Sequence, residues 1–290
     1  MTLTRVLTAL VLIPVVVALV LFTPTAVVAL ATALVTVLAL WEYFALGDAI
    51  GHRGYRLWTS FCAVVLVVAR LLPIATRDLF NRPLSAWPNF VLVVGLHSSA
   101  LAIFFLFVLG LTVLTLTSRR APVETLPSAG ISSSAFLLVA FPLSFAIPLH
   151  GYYKDGPRLL LFALVITWAA DTTAYFVGRA IGKHPLAPRI SPHKTWEGSI
   201  GGMFGSLAAA YVFRYWLTIP LHHLLLMAAL GNIAGQMGDL LESAYKRSAG
   251  VKDSGGLLPG HGGVLDRIDA LILCIPVIWY YLVLVNPRTF

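Results

Sequence analysis

Nine apolar runs, each of about twenty residues, follow one another along this chain, and that succession limits its fold more than any other feature. A helix needs roughly 20 mostly apolar residues to cross a bilayer core. Only structures that satisfy every backbone group internally can sit there. The runs lie near Val6–Phe22, Ala26–Leu46, Leu57–Ile74, Phe90–Leu116, Ser133–Leu149, Leu159–Gly178, Ser199–Ile219, Leu221–Ala244 and Leu265–Val285. The expected fold is therefore all-α, a polytopic integral membrane protein of about nine transmembrane helices. Phe90–Leu116 is long enough to tilt. Ser133–Leu149 holds Pro142 and Pro148, which membrane helices tolerate where neighbours re-satisfy the backbone. The first run lacks a small-residue cleavage site and a second follows at once, so no removed signal peptide is expected.

Composition agrees: 59% of the residues are hydrophobic, above the roughly 45–50% of soluble domains. A formal charge of +8 would suit nucleic acid, but the basic residues sit at the ends of apolar runs instead. That is the pattern of a membrane protein, and no nucleic-acid partner is expected. With nine spans, twelve Lys or Arg fall on the side of the N-terminus and the even-numbered loops, against five on the other side. The excess puts the N-terminus and those loops in the cytoplasm. Cys62 and Cys274 lie in apolar runs without ligand spacing and read as small core residues, with no disulfide or zinc expected.

Residues 1–120 carry little chemistry. Glu42 and Arg70 are the charges clearly inside spans there, and they read as snorkelling groups or an interhelix pair rather than as catalytic. Asp78–Pro88 and Ser118–Ser134 read as polar loops. From Trp168 onward the polar residues cluster. Asp171 and Tyr175 share a helix face, and a carboxylate at that depth needs a cation, a proton or a donor. The loop that follows ends in Ser191-Pro-His-Lys-Thr-Trp-Glu-Gly198, a polar turn entering a helix. Helix N-termini aim N–H groups outward, so this turn is a candidate phosphate cradle, although it is no Walker A.

The densest cluster runs from Gly238 to Asp269 and holds five of the chain's twelve acidic residues. Asp239, Glu242 and Lys246 line one helical face; Asp266 and Asp269 line another. Gly231, Gly235 and Gly238 permit close helix packing. A glycine-rich loop between the two acidic faces lets backbone approach a ligand. Carboxylates suit Mg²⁺ held together with substrate phosphates, and nearby lysines and arginines would neutralise the remaining charge. Those are the requirements of transfer at phosphorus.

At these residues the chain resembles the phosphatidate cytidylyltransferases. Their pattern S-x-x-K-R-x4-K-D, a short spacer, then P-x-H-G-G-x-x-D-R-x-D is met by Ser243, Lys246, Arg247, Lys252, Asp253, Pro259, His261, Gly262, Gly263, Asp266, Arg267 and Asp269. Residues 191–198 resemble the family's S-P-x-K-T-x-E-G run, with His193 where a lysine is common. The resemblance covers residues 165–290 firmly. It implies that CTP and phosphatidic acid give CDP-diacylglycerol and pyrophosphate, at a site on the cytoplasmic side of the cell's inner (plasma) membrane. It implies Mg²⁺ on Asp239 and Asp266, with room for a second, monovalent cation such as K⁺. Lys194, Lys246, Arg247, Lys252 and Arg267 are expected to contact phosphate; Ser191, Thr195 and His261 to hydrogen-bond; and Asp171 to border the substrate. A homodimer is compatible with this reading. The expected regions are N-terminal spans over 1–120, a central membrane region over 121–164 and a catalytic membrane region over 165–290. Two other activities compete: a CTP-dependent lipid-alcohol kinase, which the full motif disfavours, and an ion-coupled transporter, which would need matching broken helices in two halves.

Overall fold

A computed structural model describes residues 2–79, 89–151, 154–257 and 262–285. The apolar runs fold as helices: α1 (Thr2–Phe22), α2 (Thr25–Ala49), α3 (Arg56–Leu79), α4 (Asn89–Thr117), α8 (Gly156–Ile181), α9 (Trp196–Phe213), α10 (Leu221–Ser248) and α11 (Leu265–Val285). Between α4 and α8 come α5 (Pro122–Ala135), a five-residue π segment (Phe136–Ala140), α6 (Phe141–Leu143) and α7 (Ala146–Gly151). Together they make one interrupted crossing, Pro122–Gly151, in which prolines 142 and 148 fall at the starts of short helices.

Seven helices among the described residues are long and apolar enough to cross a membrane. The chain is thus a helical, multi-pass membrane protein. Two of the nine expected runs fall outside that seven: α1, whose qualifying apolar part is Leu10–Phe22, and α9, which is 18 residues long and glycine-rich.

Ser118–Ser134 is not a polar loop. Pro122 at the first helical turn starts α5, because its fixed φ is already helical and its missing N–H would have had no partner. The serines then satisfy themselves: Ser132 Oγ donates to Ser128 O (2.8 Å) and Ser134 Oγ to Gly130 O (2.9 Å). Most of the expected Asp78–Pro88 loop lies outside the described residues.

Two apolar clusters hold the helices together. One gathers α1, α2, α3 and α7–α11 around Phe162, Ile166, Cys274 and Trp279. The other gathers α2–α6 with the start of α11, and stacks Phe107 on Phe136 at 4.3 Å. Cys62 and Cys274 are buried free thiols, one in each cluster. Helix α11 belongs to both clusters, which ties the N-terminal half to the C-terminal half. Gly231, Gly235 and Gly238 of α10 lie against Cys274, Ala270 and the Asp269 carbonyl of α11. Small residues there let the two backbones meet, which sets Asp239 beside Asp269.

The all-α expectation needs one correction. Residues 185–195 form a small antiparallel hairpin, β1 (Pro185–Ala187) and β2 (Ser191–Thr195), pairing Pro185 with Thr195 and Ala187 with Ser191. Pro185, Pro188 and Pro192 exclude helix from this stretch, and an isolated edge strand accommodates them.

Candidate functional site

The C-terminal ends of α8 and α10, the start of α11 and the hairpin converge at one end of the molecule. They enclose a cavity of about 800 Å³. Each wall arrives there for a local reason. Trp196 N donates to His184 O (2.9 Å), closing the base of the hairpin. His184 Nδ1 meets Glu197 Oε1 at 2.6 Å in the first turn of α9. Thr195 caps α9, its Oγ1 accepting from Gly198 N (3.1 Å). Gly201 and Gly205 then press α9 onto Val177 and Thr173 of α8.

At the end of α10 the chain reverses through Gly250, whose φ is +69°. Val251 N bonds to Lys246 O (3.0 Å) and Gly250 N to Arg247 O (3.1 Å). This is a Schellman stop, in which a left-handed glycine satisfies the last helical carbonyls. It turns Ser254 back toward α11. Gly262, φ +80°, makes a second reversal against Asp266.

Four carboxylates border the cavity: Asp171, Asp239, Asp266 and Asp269. Lys194 and Arg267 face them. Asp171, Asp239 and Asp269 lie close enough to repel one another. Lys194 Nζ forms an ion pair with Asp239 Oδ2. Asp266 is held from several sides: Lys246 Nζ donates to Oδ1 (2.6 Å), while Ser254 N (3.0 Å) and Gly263 N (2.8 Å) donate to Oδ2.

Of the residues expected at the site, Asp171, Lys194, Thr195, Asp239, Asp266 and Arg267 share this cavity. Ser191, Lys246, Arg247 and Lys252 lie outside its wall. Lys246 is 9% exposed and is engaged by Glu242 and Asp266. Arg247 donates to the carbonyls of Ile190 (3.3 Å) and Val251 (3.2 Å), tying α10 to the hairpin and the loop. Lys252 is exposed in the loop after α10. His261 lies outside the described residues, as does Pro259. His193 does border the cavity.

Three participants were not expected at the site from their sequence alone. Asp269 was visible on the α11 face, but its closeness to Asp239 and Asp171 depends on helix packing. Gln236 borders the cavity and begins a polar ladder: Gln236 Nε2 donates to Asn232 Oδ1 (2.6 Å), Asn232 Nδ2 to Ser206 Oγ (3.0 Å), and Ser206 Oγ to Ile166 O (2.9 Å). Neutral side chains of this kind join membrane helices. The third is Glu42. It is 6% exposed, so it does not snorkel, and among the described residues it forms no ion pair with a cation across helices. Its carboxylate accepts from Val264 N (2.9 Å) and Leu265 N (2.8 Å) at the start of α11. Arg70, 2% exposed, is buried too, its guanidinium over the Phe145 ring at 4.5 Å.

The profile of the cytidylyltransferase family matches residues 3–285. A phosphatidate cytidylyltransferase of Bacillus subtilis (strain 168) is 37% identical over 192 residues, covering 66% of this chain and 70% of the relative. One of Staphylococcus aureus (strain COL) is 32% identical over 241 residues, covering 74% of this chain and 88% of the relative. One of Haemophilus influenzae (strain ATCC 51907 / DSM 11121 / KW20 / Rd) is 44% identical over 140 residues, covering 46% and 47%.

Proposed function

Because this chain belongs to the cytidylyltransferase family, we propose that it converts CTP and phosphatidic acid to CDP-diacylglycerol and pyrophosphate. A phosphate oxygen of the lipid bonds to the α-phosphorus of CTP as the bond from that phosphorus to the bridging oxygen of the β-phosphate breaks. The observation that carries the reading is the cavity in which Asp171, Asp239, Asp266 and Asp269 face Lys194 and Arg267. It has cations to receive phosphate oxygens and carboxylates to share a hard cation with them. Lys194 is paired with Asp239 and would turn to the triphosphate when it arrives. Arg267, on the first turn of α11, would hold a second phosphate position. Asp266 is kept in place by Lys246 and backbone amides, so it needs little reorganisation. No dedicated general base is required, since a phosphate monoester is already mostly ionised near neutral pH.

We assign Mg²⁺ to Asp239 and Asp266, with room for a monovalent cation such as K⁺. Among the described residues no three His, Cys, Asp or Glu stand together as a ready metal cage. The donor set still fits, because Mg²⁺ takes one or two carboxylates and completes its shell with substrate phosphates and water. When bound, it neutralises charge on the transferring phosphate.

The same reading places nine crossings in the inner (plasma) membrane, with α1 and α9 completing the count. The cavity then opens to the cytoplasm, where CTP is found and the positively charged loops lie. At that depth the lipid phosphate sits at headgroup level beside the ends of α8 and α10. Purified protein in detergent is expected to release pyrophosphate only when both CTP and phosphatidate are present, in a one-to-one ratio with CDP-diacylglycerol. Release with CTP alone, or none with both, would remove this assignment.

A further inference from the structure

The first turn of α11 carries Asp266 and Arg267, yet its own sequence does not cap it. The first N–H groups of a helix need acceptors, and a residue just before the helix usually supplies one. Here α2 supplies it, from the opposite end of the chain. Glu42 Oε1 accepts from Val264 N (2.9 Å), and Oε2 accepts from Leu265 N (2.8 Å). Gly255 and Gly263 lie so close to this carboxylate that a Cβ on either would overlap it. Glu42 is not part of the cavity wall.

Asp266 and Glu42 divide the loop's donors between them. Asp266 takes the amides of Ser254 and Gly263, and Glu42 takes those of Val264 and Leu265. The Ser254 hydroxyl stands between the two, 3.0 Å from Asp266 Oδ2 and 3.1 Å from Glu42 Oε2. A hydroxyl has one proton, so it donates to one carboxylate at a time. Whenever Asp266 turns toward a ligand in the cavity, Ser254 and the first turn of α11 keep an acceptor in Glu42. The loop is then held by a group that takes no part in the chemistry.

We propose that Glu42 is a positioning residue: it fixes Ser254, Val264 and the first turn of α11 so that Asp266 and Arg267 keep their aim while Asp266 engages substrate. This rests on the reading of the cavity as the active site. It also gives the N-terminal half of the chain a direct part in that site. Such support matters because a catalytic group out of place by about 1 Å costs on the order of 10²-fold in rate.

The test uses the full chain with Glu42→Gln, Glu42→Asp and Ser254→Ala. Hydrogen exchange is measured at Val264 and Leu265, and kcat and KM for CTP are measured per folded molecule. Glu42→Gln keeps the size but offers one acceptor oxygen to the donors that now share two. Exchange at the two amides should quicken and kcat should fall about ten-fold or more, with KM for CTP shifting less than about three-fold. Glu42→Asp, which keeps the charge, should recover part of the rate. Glu42→Gln should cost less on the Ser254→Ala background than on the native one, since the two act through one loop. If Glu42→Gln does not fold, Ser254→Ala and Glu42→Asp carry the same kcat and exchange readings. Unchanged kcat per folded molecule beside a lower Tm would make Glu42 a plain structural cap and overturn the proposal. Unchanged exchange at Val264 and Leu265 would overturn it too. A native protein that turns over neither substrate sinks the functional reading instead, while the exchange result still judges the anchoring.

Discussion

Asp239→Asn is expected to lower turnover at least about 10²–10³-fold while leaving Tm in detergent unchanged or slightly raised. The two halves of that expectation have one cause. Asp239 stands with Asp171 and Asp269 at one cavity wall, close enough for their charges to repel. Three carboxylates gathered at one wall, with Asp266 besides and Lys194 and Arg267 facing them, are not an arrangement that stability favours. Replacing one by its neutral isostere relieves repulsion, and Asn still accepts a hydrogen bond from Lys194. What is lost is an anionic oxygen for a cation shared with the triphosphate. A residue that served only as an ion-pair partner would behave in the opposite way, with Tm falling and the rate per folded molecule holding. Activity within ten-fold of native would remove Asp239 from the site.

Lys246→Met is expected to act mainly on folding. Lys246 Nζ sits between Glu242 and Asp266, and all three side chains are largely buried. Met keeps most of the volume and removes the charge. Two carboxylates then face each other without a cation, and breaking a buried pair from one side costs about 3–5 kcal/mol. Against a total stability of about 5–15 kcal/mol, that should lower Tm sharply and reduce the folded yield. Adding Glu242→Gln should restore part of the loss, because one of the orphaned charges is gone. A Tm equal to native in the single variant would mean that the clamp contributes nothing. This assigns Lys246 a holding role, where the motif alone suggested direct contact with phosphate.

Much of the fold was legible because a bilayer leaves few options. Long apolar runs become helices, and the glycines at 231, 235 and 238 mark where α10 meets α11. The cavity was also legible in outline, since charge next to apolar sequence is costly and therefore conspicuous. Three things were not. Alpha-helix α5 was hidden because serine and proline read as loop, and only the packed structure shows the hydroxyls bonding their own helix. The hairpin at 185–195 was hidden because three prolines in eleven residues suggest irregular chain, yet an exposed two-stranded pair accepts them. Glu42 was hidden for a more general reason. It caps a helix more than two hundred residues away in sequence. A cap of that kind leaves no local spacing to read, and a lone carboxylate in an apolar run looks the same whether it snorkels, pairs or caps.

The account stands on cytidylyl transfer to a lipid phosphate at the cavity between α8, α10 and α11. CTP labelled at the α-phosphorus or at the γ-phosphorus, incubated with phosphatidate and the purified native protein, tests it most directly. The α-label should appear in the lipid product and the γ-label only in pyrophosphate. The γ-label in lipid, with the α-label left in soluble nucleotide, would mean a phosphate-transferring kinase and would contradict the account.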